Sequence, residues 1–469
     1  MSLFGALNSA TAGLRTVQAG LNVVSDNITR INDPNRSRHT LEQKVDASGL
    51  VVTAEYRREM DSGLKAQLES LTAREGRAQG QSDYMVKIGD LLRTSSGKPL
   101  LTTYMQDFEA AWKTLETSPE SETAQYQVIQ TANNFARELN RVSAGVEQID
   151  ADMQKDIGDG VQRANELMTE IDKINDDIVS LQALGSAANE ASDRRDSLVK
   201  ELNTLVGVRT VDRADGRVAI FTETGLALVD SSPAELTYAG GAIYMQVGNN
   251  QQDITPHLRQ GRLGAIYDMR YDGSAADPPK AASGEATAEI IRKLRSQLDA
   301  VANAFTAKTK EGEPTSFADA YNKAKPVSDD EQGTSFFAGD DRFGFAVNAK
   351  LLDNSKKIKV SAIAEVTVAF NAKGRTLSAD GLNEKDVSYR DMVNAIPGRA
   401  MEAASLAKSR LTAESESRTV IEERYRGNVG VNMDEEIALL QQLQTSYAAS
   451  ARVMQVTNQM FDLLESIVS

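Results

Sequence analysis

Residues 3–31 read LFGALNSATAGLRTVQAGLNVVSDNITRI, and apolar side chains recur in this stretch at alternating spacings of four and three residues. This spacing is typical of the contact seam of a coiled-coil helix. An isolated helix is only marginally stable in water, so the seam predicts a partner helix. Pro34 and its polar neighbours then predict a helix end and a turn at 32–35. The seam comprises Leu3, Leu7, Ala10, Leu14, Val17, Leu21, Val24, Ile28 and Ile31.

The last part of the chain carries a second apolar pattern, which repeats every seven residues. Asn432 stands before it as a predicted N-cap, and Glu435 follows at the position of a capping-box carboxylate. The two terminal helices are therefore expected to pack on each other and on neighbouring copies of the chain. The predicted assembly interface comprises Leu3, Leu7, Leu14, Val17, Leu21, Val24, Ile28, Met433, Ile437, Leu440, Leu443, Tyr447, Met454, Phe461, Leu464 and Val468.

The middle of the chain changes from helical to strand-like patterns and back. Long helices are predicted over about 60–206, and two hairpins turn at Asp215-Gly216 and Gly240-Gly241. Loops with short strands are predicted over 309–345, a strand over 366–370 and a helix over 389–426. The predicted fold class is α+β, with paired terminal helices and an inserted β-rich outer domain.

Three domains are expected from these patterns. The first is a terminal helical assembly domain, residues 1–45 plus 427–469. The second is a helical bundle, residues 46–205 plus 259–310 and 385–426. The third is a β-rich outer domain, residues 206–258 plus 311–384.

The composition argues against several classes of function. Acidic residues outnumber basic ones by 67 to 52, and this excess would repel a nucleic-acid backbone. The chain has no cysteine, so disulfides and thiolate metal sites are impossible. No apolar run approaches the ~20 residues of a membrane span, and no secretory signal pattern is visible at the start. We expect no nucleic-acid or membrane partner.

The sequence carries no recognisable catalytic pattern. The histidines, His39 and His257, stand far apart without a surrounding motif, and nucleotide-binding and zinc-protease signatures are missing. The DRRD segment at 193–196 is interpreted as the start of a helix with ion pairs on its exposed side, although a catalytic cluster is the alternative. The acidic stretch between Glu147 and Asp177 is interpreted as a solvated helix face rather than a metal site. We predict no catalytic, cofactor-binding or metal-binding residues.

Several segments resemble the flagellar rod, hook and hook-associated proteins. Where this family usually has a Thr-Pro-Gly-Tyr-like turn, the chain reads Asp-Pro-Asn-Arg at 33–36, so an aromatic contact is missing. The matching segments are SL at 2–3, AGL at 12–14, SDNI at 25–28, DRRDSLVKELN at 193–203, GRLGAIYDMR at 261–270 and GVNMDEE at 430–436.

This resemblance implies a structural subunit of the flagellum that joins hook to filament and acts outside the cell. It implies export through the flagellar type III apparatus without a cleaved signal, and terminal helices that line an inner tube. The implied partners are copies of the chain itself, the hook protein, the second junction protein and a flagellar export chaperone. Two alternatives stay open: another axial protein of this family, and a surface hydrolase carried within residues 206–380.

Overall fold

A computed structural model describes residues 3–33, 36–45, 51–93, 97–183, 188–271 and 286–468. The first half forms α1 (Leu3–Thr29), β1 (His39–Val45), β2 (Val51–Arg58), α2 (Ser62–Leu92), α3 (Leu100–Thr117), α4 (Glu122–Ala183), α5 (Asn189–Val206), β3 (Val208–Asp212), β4 (Val218–Thr222), β5 (Ala227–Val229), β6 (Leu236–Ala239), β7 (Ala242–Val247) and β8 (Asn250–Asp253). The second half forms α6 (Gly261–Arg270), α7 (Ile290–Thr306), α8 (Phe317–Lys323), β9 (Phe337–Ala338), β10 (Ala346–Val347), α9 (Ala349–Leu352), α10 (Ile363–Asn371), β11 (Arg375–Ala379), β12 (Leu382–Val387), α11 (Tyr389–Val429) and α12 (Met433–Val468).

The long helix α4 organises the middle of the chain. Its buried residues follow steps of three and four, so one continuous stripe faces the core, and α3, α5, α6 and α7 all contact this helix. This helix is one of the long helices predicted over about 60–206. The buried stripe includes Leu139, Val142, Val146, Ile149, Met153 and Ile157.

The few aromatic residues are concentrated at one end of this core. The ring centroids of Phe108 and Phe370 lie 5.2 Å apart, and those of Trp112 and Phe336 lie 5.4 Å apart. The Trp112 indole donates a hydrogen bond to the Ile363 carbonyl at 3.1 Å, so the buried ring leaves no polar atom unsatisfied. These contacts attach α10 to α3.

Two three-stranded antiparallel sheets, β3-β4-β5 and β6-β7-β8, follow α5. Gly216 and the Gly240-Gly241 pair have positive φ angles in the turns, which glycine adopts without steric cost. Val208 pairs with Thr222, and Leu236 pairs with Met245. Both predicted hairpins are confirmed, and the α+β class with long terminal helices is confirmed as well.

The strand predicted over 366–370 is wrong, because this segment is helix α10. Val366 and Phe370 are buried, but Val368 between them is 69% exposed, which is a helical and not a strand pattern. Also missed were helix α8 within the predicted loops of 309–345 and the antiparallel strand pairs β1–β2 and β11–β12. Pro34 and Asn35 of the predicted turn lie outside the described residues. The domain boundaries remain a prediction.

The DRRD segment lies in helix α5, but the helix begins four residues before it, at Asn189, and the ion pairs do not lie on an exposed side. Asp193 and Arg195 are buried. The Arg195 guanidinium donates to the Asn175 side chain at 3.1 Å and to the Gly216 carbonyl at 2.8 Å, and burial lowers its pKa. Spacing alone could not reveal this burial, because the partners come from distant parts of the chain.

Candidate assembly interface

Helices α1 and α12 form an antiparallel pair. Their contacts advance by seven residues along α1 while they retreat by seven along α12, as expected for heptad packing of opposed helices. The Phe4 and Phe461 rings meet edge to face, with centroids 5.1 Å apart. The intramolecular pairing of the two terminal helices, predicted from the stripes, is confirmed. The contacts in register are Asn27 with Glu436, Gly20 with Leu443, and Gly13 with Ser450.

A glycine permits the close approach of the two helices near the middle of the pair. A Cβ atom added to Gly20 would lie 3.2 Å from both δ carbons of Leu443, which is tighter than ordinary van der Waals contact. Any larger side chain at this position would push Leu443 away. The two helices therefore pack closely at this level.

A buried polar network closes one end of the pair. The Asn27 amide donates to Glu436 Oε2 at 3.2 Å and to the His39 carbonyl at 2.8 Å, and Arg38 Nε donates to Glu436 Oε1 at 2.8 Å. Burial lowers the pKa of Arg38, but the carboxylates of Glu436, Glu59 and Glu435 outweigh it and hold that pKa above its ordinary value. Buried polar partners of this kind can fix the register of paired helices.

The start of α12 agrees with its predicted cap. Asn432 Oδ1 accepts a hydrogen bond from the Asp434 backbone N–H at 3.0 Å. The Glu435 carboxylate, which the sequence assigned to a capping box, pairs with Arg38 at 2.9 Å. The N-terminal end of α12 is thereby attached to the segment that follows α1.

The predicted interface residues of α1 lie on the helix pair. Val17 and Val24 are buried, while Leu7, Leu14, Leu21 and Ile28 are half-buried. The predicted residues of α12 divide into two sets. Leu440, Leu443, Met454 and Phe461 are half-buried, whereas Met433, Ile437 and Tyr447 are exposed. The side chains of Leu3, Leu464 and Val468 lie outside the described residues.

A further apolar row on α12 was missed. Val453, Val456 and Met460 follow steps of three and four, so they share one flank of the helix, and they are 49%, 43% and 51% exposed. The same spacing is visible in the sequence and could have identified the row. We call these three residues the outer row. This exposed apolar row is a candidate surface for protein contacts.

The alternative function, a hydrolase within residues 206–380, requires carboxyl groups suited to acid–base chemistry. In the described part of residues 206–380, the carboxyl group with a raised pKa is Glu223, and burial is the main cause. The charges that act on it come from Arg74 and Arg77, which lower its pKa. A hydrolytic pair needs a second carboxyl group beside the first. Within the described residues, no group of three or more potential ligands could hold a metal ion, and no helix is long and apolar enough to cross a membrane.

Two family models match the chain. Residues 85–312 match the flagellar hook-associated protein FlgK helical domain, and residues 428–467 match the flagellar basal body rod FlgEFG protein C-terminal model. The chain belongs to the flagellar hook-associated protein family. The second match covers most of α12, so the helix that carries the outer row is a recognised element of flagellar axial proteins.

The chain is similar to known flagellar proteins over most of its length. Flagellar hook-associated protein 1 of Salmonella typhimurium is 23% identical over 98% of this chain and 99% of its own length. The protein of that name from Escherichia coli is 26% identical over 77% of this chain, and the match spans 64% of that relative. A solved structure, the flagellar hook junction protein FlgK from Burkholderia pseudomallei, is similar with a TM-score of 0.46 and 18% identity, covering 58% of this chain and 47% of that one.

Proposed function

We propose that this chain is a structural subunit of the bacterial flagellum that joins hook to filament, and that it assembles through the α1–α12 helix pair. The observation that carries the proposal is the exposed outer row on a helix that belongs to the axial-protein C-terminal model. The relatives bear the name flagellar hook-associated protein 1, and the helical-domain model favours this role over that of a hook or rod subunit.

The energetics of the outer row favour contact with a neighbouring copy. Each large apolar side chain that becomes fully buried contributes about 1.5–3 kcal/mol before entropy costs. A single row gives a modest gain, but a helical polymer repeats it for every subunit. The predicted interface residues Met433, Ile437 and Tyr447 are exposed on the other flank of α12 and would offer a second apolar contact surface.

The partners we propose follow from this position in the flagellum. They are copies of the chain, the hook protein on one side and the second junction protein on the other. We also propose a flagellar export chaperone as an earlier partner, type III export as the route out of the cell, and an extracellular site of action. The proposed role is structural and not catalytic.

The test is substitution within the outer row. Val456→Asp places a charge where a neighbour would cover it, so we expect loss of incorporation into flagella and of motility in a strain that lacks the native gene. The matched control is Asn458→Asp, which adds the same charge at an exposed polar position of α12. Circular dichroism should show unchanged helix content in both variants. Normal incorporation of the Val456 variant would refute the proposed interface.

A further inference from the structure

Two structural units meet near the start of α5. We call α1, β1, β2 and α12 the terminal unit, and residues 62–429 the body. The chain passes between them through two short connections, residues 59–61 and residues 430–432. The connections lie side by side, because Asn428 Nδ2 donates to Asp61 Oδ2 at 3.1 Å and the Arg38 N–H donates to the Val429 carbonyl at 2.8 Å. Adjacent short connections are the geometry of a hinge.

The side-chain contacts between α5 and the terminal unit are mostly ionic. Among the described residues, the main buried apolar cluster includes no member of the terminal unit. The cations across the boundary lie on the terminal unit, and the anions lie on α5. Arg30 pairs with Glu190 at 2.9 Å, and Arg58 pairs with Asp196 at 2.7 Å.

Asp193 is the centre of this contact. Its Oδ1 accepts hydrogen bonds from Ser37 Oγ at 2.8 Å and from Arg58 Nη1 at 3.1 Å. Its Oδ2 lies 3.2 Å from His39 Nε2 and 3.8 Å from Arg36 Nη1. One buried carboxylate thus contacts four side chains of the terminal unit. Removal of a shared buried anion costs more than loss of an exposed ion pair, because the cations around it lose their partner together.

When the ionic contact separates, most of its charges keep a partner within their own unit. Asp26, on the terminal unit, pairs with Arg36 and lies 3.2 Å from Arg30, so both cations keep a carboxylate. On the body, Lys65 lies 3.3 Å from Asp196 and stays with it. Because no described residue of the terminal unit belongs to the main apolar cluster, we expect separation to expose mainly charged and polar groups, which water solvates readily. Polar boundaries between domains of this kind permit relative motion.

We propose that Asp193 is the hub of an ionic latch that sets the angle between the terminal unit and the body. When the latch is released, the terminal unit turns about residues 59–61 and 430–432, and both units stay folded. The latch is independent of the proposed outer-row contacts, because the outer row lies on α12 and the latch residues do not.

The absence of native cysteine permits a direct test on the full-length chain. Spin labels on cysteines at two exposed positions, Asn8→Cys on α1 and Lys173→Cys on α4, report the distance between the units. Pulsed electron paramagnetic resonance should give a narrow distribution for this parent protein. With Asp193→Asn added, the distribution should broaden roughly twofold or more.

The matched control is Asp159→Asn, which removes the same charge from an exposed pair with Lys155 on α4 and should leave the distribution narrow. Three results would overturn the latch. One is a broad distribution in the parent protein, and another is an unchanged distribution in the Asp193 variant. The third is loss of the body's cooperative thermal unfolding on Asp193→Asn, which would make Asp193 a core residue of the body.

Discussion

At the scale of single residues, the chain places charged and polar groups where periodicity predicted apolar contact or solvent. Glu436 is fully buried at the end of a helix pair whose stripes are otherwise apolar. The seven-residue pattern does not include this position, so periodicity predicts no contact for it. Its role depends on Asn27 and Arg38, which lie about four hundred positions away in the sequence.

Replacement of Glu436 should loosen the helix pair. Glu436→Ala removes the acceptor of both Asn27 and Arg38, and we expect a loss of about 2 kcal/mol, since Arg38 keeps Glu435 as a partner. Glu436→Gln, which keeps an acceptor, should lose less. Hydrogen exchange of the α12 amides measures the effect. Equal protection in the alanine variant and the native chain would show that this network does not hold the pair.

Asp319 should contribute to acid sensitivity. Its carboxylate accepts from the Thr309 backbone N–H at 3.0 Å and pairs with Lys323, and the Thr309 hydrogen bonds lower its pKa from 3.8 to about 2. A depressed pKa stabilises the fold above the unfolded value, and this contribution is lost as the pH falls from about 4 towards 2. Urea unfolding across this range should show a smaller pH dependence for Asp319→Asn. An identical slope would contradict the assignment.

At the scale of elements, long periodic segments were predictable and short ones were not. The stripes of α1, α4 and α12 extend over many turns, so chance apolar residues cannot imitate them. Helix α10 has nine residues, and its alternating Val366, Val368 and Phe370 imitate a strand. The burial of the DRRD carboxylate depends on a hairpin, β1–β2, that the sequence did not predict. The pairing of α1 with α12 was therefore predicted, the assembly interface stays a prediction, and the α5 contacts were missed.

Helix α10 provides a paired test of this correction. A strand would place residues 366, 368 and 370 on one face, whereas the helix buries Val366 and exposes Val368. Val366→Asp should destabilise the chain by several kcal/mol, because it buries an unpaired charge, and Val368→Asp should change stability by roughly 0.5 kcal/mol or less. Thermal unfolding of the two variants decides the matter. Similar losses in both would favour the strand.

At the scale of the whole molecule, the residues that form the apolar core differ from the residues that we propose for assembly. The body carries the continuous apolar core, whereas the described residues of the terminal unit contribute none of its buried members. The helix pair buries one face internally, and the outer row, the contact surface that we propose, stays exposed. This division suits a subunit whose body must stay the same while its terminal helices join a polymer.

Truncation tests this division directly. Deletion of residues 1–31 or 434–469 removes one partner of the helix pair and leaves the core residues of the body in place. We expect each truncated chain to unfold cooperatively at nearly the native temperature, since the lost helices add nothing to that core. Neither should enter flagella, because the remaining terminal helix has lost its partner. Sedimentation with isolated flagella and calorimetry measure the two properties separately. Retained assembly would exclude the helix pair as the polymer contact, and an unfolded body would show that the terminal unit is part of the core.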